Sequence, residues 1–166
     1  TKIFKVLSLY SNHPGEVLSS GWHTKIVNLK KNTPVSWVYI GATVFRSNKI
    51  SKILFDNYLG KYSYLEDLDF SLQLTKNKKK ILIVANAKFE DPNYINRDGI
   101  RFGLLEIKNR FRIVEKHNFN KKNFFLLSFL RFFLSFILSL KGNPAMFCRG
   151  VGNLCGIIMC LLKLIK

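Results

Sequence analysis

The chain has 166 residues, 48% of them apolar, and its 27 Lys+Arg against 10 Asp+Glu leave a net charge of +17. That length suits one ordinary domain, and the apolar content, with 15 Phe, excludes a disordered polycation, a collagen-like repeat and an acidic tail. Cys148, Cys155 and Cys160 are odd in number and match no zinc or redox spacing, so free thiols are expected.

Taken in chain order, Thr1 leads directly into Ile3-Phe4-Lys5-Val6-Leu7, which reads as a strand over 3–9 and not as a signal peptide. The first residue is not Met, which fits a beginning that lies upstream. Further strands are expected at 16–19, 35–46 and 81–85; Ile81-Leu82-Ile83-Val84-Ala85 is a continuous apolar run of the kind buried on both faces of a sheet. Turn signals stand at His13-Pro14-Gly15, Asn32-Thr33-Pro34, Asp91-Pro92-Asn93 and Arg97-Asp98-Gly99. Helices are expected at 48–54, with Ser47 as N-cap, and at 100–117, starting near Asp98 or Gly99. In the second of these, Leu104, Ile107, Phe111 and Val114 make a buried stripe. Residues 64–76 fit two patterns: Leu68, Phe70, Leu72 and Leu74 alternate as in a strand, whereas Leu65, Leu68 and Leu72 suit a helix.

Composition changes near residue 118. Residues 1–118 carry all ten carboxylates, while 119–166 carry none and are rich in Phe, Leu, Ile and Cys. The organisation expected is therefore an α/β region over 1–118 followed by a hydrophobic helical hairpin over 119–166. The 17-residue apolar run 124–140 is interrupted by Arg131 and serines. At about 1.5 Å per residue it falls short of a hydrocarbon core about 30 Å thick. Lys121, Ser128, Arg131, Ser135 and Ser139 line one narrow stripe, which suits a helix lying in the membrane interface or one hiding Arg131 against protein. Lys141-Gly142-Asn143-Pro144 breaks this helix. The run 145–165 again has one small or polar face, formed by Arg149, Asn153, Gly156, Cys160 and Lys163, and its Gly152/Gly156 pair permits a close helix contact.

A strong basic excess serves nucleic acid, anionic lipid or a phosphorylated substrate. The dense clusters are Lys30-Lys31, Lys78-Lys79-Lys80 and Lys116 with Lys121-Lys122. None carries the signature of an RNA-binding sheet or a zinc finger, so nucleic acid is not the expected partner. Two clusters abut apolar segments, which favours an anionic membrane surface.

The stretch richest in chemistry is Tyr64-Leu65-Glu66-Asp67-Leu68-Asp69-Phe70-Ser71. Three carboxylates within four residues are costly unless solvated, paired or used, and a helix N-terminus is their ordinary home. Upstream stand Trp37-Val38-Tyr39-Ile40-Gly41-Ala42-Thr43-Val44-Phe45-Arg46 and then Phe55-Asp56-Asn57-Tyr58-Leu59. The order W-V-x-x-G-A-x-x-x-x-R, F-D, Y-x-E-D-x-D-x-S resembles the C-terminal, acceptor-side half of family 2 glycosyltransferases, inverting enzymes of the GT-A fold. Lys108-Asn109-Arg110-Phe111-Arg112 through Lys116-His117 is similar to that family's post-catalytic helix. The resemblance spans about residues 15–118 and favours the helical reading of 64–76.

The resemblance implies a partial GT-A-like mixed sheet with flanking helices, and transfer of a sugar from a nucleotide-sugar donor to a glycan or lipid-linked acceptor. It implies Asp67 as the general base, Glu66 as an acceptor-binding residue and Gly41-Ala42 beside the donor sugar. Arg46 would meet phosphate or a carboxylate, while Asp69 and Trp37 support the site. A divalent metal, Mg or Mn, is expected for the complete enzyme, but its D-x-D ligands would precede Thr1 with the nucleotide-binding half. Asp67-Leu68-Asp69 follows the Gly-Ala segment and is not that motif. In place of the family's metal-binding His after the strand at 81–85 stand Lys88-Phe89-Glu90-Asp91, so no metal ligand is assigned in this chain. His13, His23 and His117 are expected to be structural. The implied location is the cytoplasmic face of the cell membrane. The alternative is a non-catalytic basic membrane-associated scaffold whose Glu66–Asp69 cluster is only a helix start.

Overall fold

The computed structural model describes residues 10–27, 29–50, 53–59, 63–89 and 99–164; the expected strand at 3–9 and the residues Glu90, Asp91 and Asp98 lie outside them. The described chain is a mixed helix and strand structure. By contact it divides into two units, Thr1–Leu18 with His23–Asn93 and Ser19–Trp22 with Tyr94–Lys166. The contact boundary lies ahead of residue 118, because the helix that begins at Ile100 packs on the C-terminal hairpin.

In the first unit β1 (Thr33–Val35) pairs antiparallel with β2 (Ile81–Ile83), placing Thr33 opposite Ile83 and Val35 opposite Ile81. Helix α1 (Glu66–Lys76) resolves the ambiguity at 64–76. Glu66, Asp67 and Asp69 occupy its first turn, where their charge opposes the positive end of the helix dipole. Its apolar face closes the core: Val38, Phe70, Leu74 and Ile81 are buried together, with Val35, Ile40, Phe45, Ile50, Ile53 and Ile83 around them. Phe70 is stacked on Phe55 at 4.6 Å between ring centres and meets Phe45 edge-on at 5.6 Å. Burying each such side chain contributes about 1.5–3 kcal/mol.

Three strand expectations are corrected. The strand expected over 35–46 stops at Val35, and Ile40–Ala42 form a 3-10 turn. Its backbone donors go elsewhere: Val38 N–H donates to Ser71 Oγ and Ile40 N–H to Asp67 Oδ1, while Thr43 N–H closes the turn on the Ile40 carbonyl. With those groups satisfied, no neighbouring strand is needed. β2 is not buried on both faces, since Leu82 is 54% exposed and Val84 48%, as befits a small antiparallel pair with one covered side. At 16–19 the only pairing among described residues is a single bridge from Val17 to His23. The helix expected at 48–54 is described as one turn, Ser47–Ile50, with Ser47 inside it rather than capping it.

The second unit contains α2 (Ile100–Lys116), α3 (Lys121–Leu140) and α4 (Ala145–Leu161). Gly99, at φ 106°, caps α2, and the Asn120 side chain caps α3 by accepting from Asn123 N–H at 3.1 Å. The Lys141–Pro144 break is a turn in which Gly142 has φ 98°. Glycines bring α2 and α4 backbone to backbone. A Cβ on Gly152 would stand 2.1 Å from the Ile100 carbonyl oxygen, and one on Gly103 2.2 Å from that of Arg149. Ile100 lies beside Gly152 and Ile107 beside Gly156, so the two helices run parallel. Gly150 lies against Ser135 and Phe132, while Phe124 shares a cluster with Ile157 and Cys160, so α3 runs antiparallel to α4. Ile107, Phe111, Val114, Phe124, Ile157 and Cys160 form the apolar part of this core.

The rest of that interior is polar. Glu106, Asn109 and Arg110 of α2, Ser128 and Ser135 of α3, and Asn153 of α4 are all buried. Arg149 reaches back to Glu106 in an ion pair of 2.9 Å. Arg110 stacks its guanidinium 4.0 Å from the centre of the Trp22 ring and donates to the Gly21 carbonyl at 2.7 Å. Arg131 lies over the same indole at 5.8 Å, so the polar stripe of α3 faces protein. The opposite surface of α3, from Leu126 to Leu140, is apolar and exposed, and Leu140 reaches 75%.

Candidate functional site

Asp67 sits in the first turn of α1, whose preceding residue, Leu65, holds a left-handed backbone at φ 75°. A buried leucine there is a steric outlier of the kind that persists only where surrounding contacts enforce it. The turn of helix that follows is tied to 38–40. Ser71, one helical turn after Asp67, accepts from Val38 N–H at 3.1 Å and donates to the Asp67 carbonyl at 2.7 Å. Asp67 Oδ1 accepts from Ile40 N–H at 3.2 Å. Two bonds therefore fix 38–40 to the start of α1, and Gly41-Ala42 follows directly from the residue that Asp67 holds. The side chain of Asp67 is half-buried, and Gly41 and Ala42 are exposed.

A Cβ on Gly41 would lie 2.8 Å from the ring of Tyr39, which is itself exposed and can swing aside. Tyr39 in turn stacks on Phe89 at 5.6 Å. The result is a half-buried carboxylate at a helix N-terminus, beside an exposed small-residue turn with an aromatic pair next to it. A carboxylate held this way can take a proton from a hydroxyl brought within hydrogen-bond reach.

The other expected residues divide. Glu66 is exposed at the helix start, near Asp67 in sequence and in space. Asp69 is 1% exposed and its Oδ2 accepts from Gln73 Nε2 at 3.0 Å, a supporting position. Trp37 donates from Nε1 to the Thr24 carbonyl at 3.0 Å and packs on His23 at 4.3 Å, which ties the 24–37 segment together. Arg46 is exposed and takes no part in the contacts around Asp67. His117 ends α2, and His13 lines a surface recess of about 350 Å³ with Glu16, Val35 and Ser36 that includes none of the expected site residues. Among the described residues no three His, Cys, Asp or Glu side chains come together to hold a metal ion, so these residues do not fit one.

Sequence reading quoted Ser71 and Tyr39 within the motif but gave neither a role. Ser71 carried a signal: a serine inside a helix bonds back to the carbonyl four residues earlier, leaving its oxygen to accept from another segment. Glu106, Asn109 and Arg110 were overlooked as interior groups because the apolar stripe of α2 drew attention to Leu104 and Ile107 instead.

No protein-family model, curated protein or solved structure matches the chain.

Proposed function

We propose that this chain is the acceptor-side part of an inverting family 2 glycosyltransferase of the GT-A type, working at the cytoplasmic face of a membrane. The observation that carries the reading is the bond from Ile40 N–H to Asp67 Oδ1, which joins the two halves of the motif order, Gly41-Ala42 and Glu66-Asp67, across 27 residues of sequence. In this reading Asp67 accepts the proton of the acceptor hydroxyl as that oxygen attacks the anomeric carbon. The nucleoside diphosphate leaves from the opposite side with the bonding electron pair. Glu66, exposed beside Asp67, orients the acceptor, and the Gly41-Ala42 turn lets the donor sugar come close to backbone. Arg46 is assigned to phosphate on the resemblance alone.

The complete enzyme in this reading uses Mg or Mn held by the nucleotide-binding half. The described residues here supply no such site, and no step above passes through a metal. A glycan or lipid-linked acceptor accords with the apolar, carboxylate-free hairpin. The test is transfer from a nucleotide sugar by the protein carrying both halves. Asp67→Asn is expected to lower kcat by about 10²–10⁴-fold, the usual worth of a positioned general base. Glu66→Gln is expected to raise the acceptor KM more than it lowers kcat. Near-normal turnover by Asp67→Asn removes the assignment.

A further inference from the structure

The polarity of α3 and α4 points to a specific mode of membrane attachment. In a helix that packs in water, apolar residues face the core and polar ones the solvent. Here Ser128 and Ser135 are buried and Arg131 lies on Trp22, while Phe129, Leu130, Phe133, Leu134, Ile137 and Leu140 face out. Phe147 and Ile158 of α4 extend the surface. An outward face this apolar is matched by hydrocarbon. The charges name the kind: residues 119–166 contain seven Lys and Arg and no carboxylate. Although Lys121 pairs with Glu115, Arg149 with Glu106 and Arg131 lies on Trp22, Lys122 at one end of α3 and Lys141 at the other are exposed. Anionic phospholipid satisfies the apolar face and the basic rim at once.

Orientation follows from what must stay wet. A hairpin crossing the bilayer would carry α2, which lies along α4 and exposes Arg101 and Glu115, into the hydrocarbon. Entry tip-first would bury the exposed Lys141 at mid-depth. Lying in the plane of the interface, α3 keeps Lys121, Lys122 and Lys141 at headgroup level together. We infer that the α3–α4 hairpin is an in-plane anchor in one leaflet of an anionic bilayer, with α2 on its aqueous side. The inference rests on the membrane part of the proposed function and not on its chemistry.

Flotation of the full chain with vesicles tests it. Binding is expected to phosphatidylcholine vesicles containing phosphatidylglycerol, and much less to phosphatidylcholine alone. Phe133→Glu with Ile137→Glu, both on the exposed face, should lower partitioning by about 100-fold with unchanged far-UV circular dichroism. Lys122→Gln and Lys141→Gln should each cost about 5-fold, and Lys121→Gln less, since Lys121 is paired with Glu115. With Cys148→Ser and Cys155→Ser in place, Asn143→Cys at the turn should react with an impermeant maleimide added outside the vesicles. Labelling only from the lumen means a span, and protection from both sides means tip-first entry; either overturns the proposal. So does absence of flotation, whether or not the chain self-associates through this face. Asp67→Asn should leave flotation unchanged, so failure here and failure of the transferase assignment are read separately.

Discussion

In the unit that carries Asp67, Val38, Phe70, Leu74 and Ile81 close on one another and Glu66 and Lys76 face outward, although Val44, Leu54 and Phe55 are exposed as well. In the helical unit Glu106, Arg110 and Asn153 lie inside and Phe133, Phe136 and Leu138 lie outside. The apolar surface of the second is the one that the proposed anchor sets against lipid. Inside that unit Glu106 pairs with Arg149 and Arg110 lies on Trp22, while Ser128 Oγ and the Asn153 side-chain amide have no hydrogen-bond partner among the described residues. Stability in the first unit should therefore depend on apolar volume and a few clips, and in the second on charge pairing and backbone proximity.

Chemical denaturation of single variants separates the two. The largest effect is expected for Glu106→Ala, which leaves the mostly covered Arg149 without its partner, at a cost of up to about 3–5 kcal/mol. Replacing both Glu106 and Arg149 by Met should cost less than removing Glu106 alone; a larger loss would mean that the pair contributes net attraction. Next comes Gly152→Ala, whose Cβ would fall 2.1 Å from the Ile100 carbonyl oxygen. Backbone cannot rotate away, so α2 must lift from α4, at about 1–3 kcal/mol or more. In the other unit Ser71→Ala orphans the Val38 N–H and releases the Asp67 carbonyl, and about 1–3 kcal/mol is expected. That variant should also weaken any sugar transfer, since it frees 38–40 from α1.

The smallest effect is a dependence on pH. Burial, aided by the Glu115 charge, pushes the Cys160 thiol from an ordinary 9.0 up to about 12. The folded protein keeps this proton while the unfolded chain loses it near 9.0, so stability is full below that pH and falls as pH rises toward 12. Cys160→Ala should flatten this slope, and below pH 9 only the exposed Cys148 and Cys155 should react readily with a thiol reagent. Fast labelling of Cys160 in the folded protein would contradict the buried environment.

Helices were legible where periodicity ran long. Helices α2 and α4 appear close to their expected bounds, and the Gly152–Gly156 spacing announces the close contact that α2 makes. But α3 begins at Lys121, three residues ahead of the apolar run, and its 20 residues are long and apolar enough to cross a membrane, which the 17-residue run was not expected to do. Strands were not, because 35–46 has the composition of a strand but gives its N–H groups to Ser71 and Asp67, partners more than 25 residues away. The helix start at Glu66, Asp67 and Asp69 was legible from the acidic cluster, whereas Asp67 was singled out by the family resemblance alone. Ser71 stands in the motif order, but its clip was not legible, since its partner Val38 lies 33 residues away. The inward turn of Glu106 and Arg110 was equally hidden: their partners Arg149 and Trp22 lie 43 and 88 positions away in the sequence.

For the proposed transferase, the most direct measurement compares transfer and stability in Asp67→Asn, made in a protein that joins this chain to a nucleotide-binding half. Asparagine retains an oxygen to accept from Ile40 N–H but cannot take a proton. The account predicts that kcat falls at least about 10²-fold while the unfolding midpoint stays near that of the parent. Undiminished transfer, or a loss of activity that tracks an equal loss of folded protein, would contradict it.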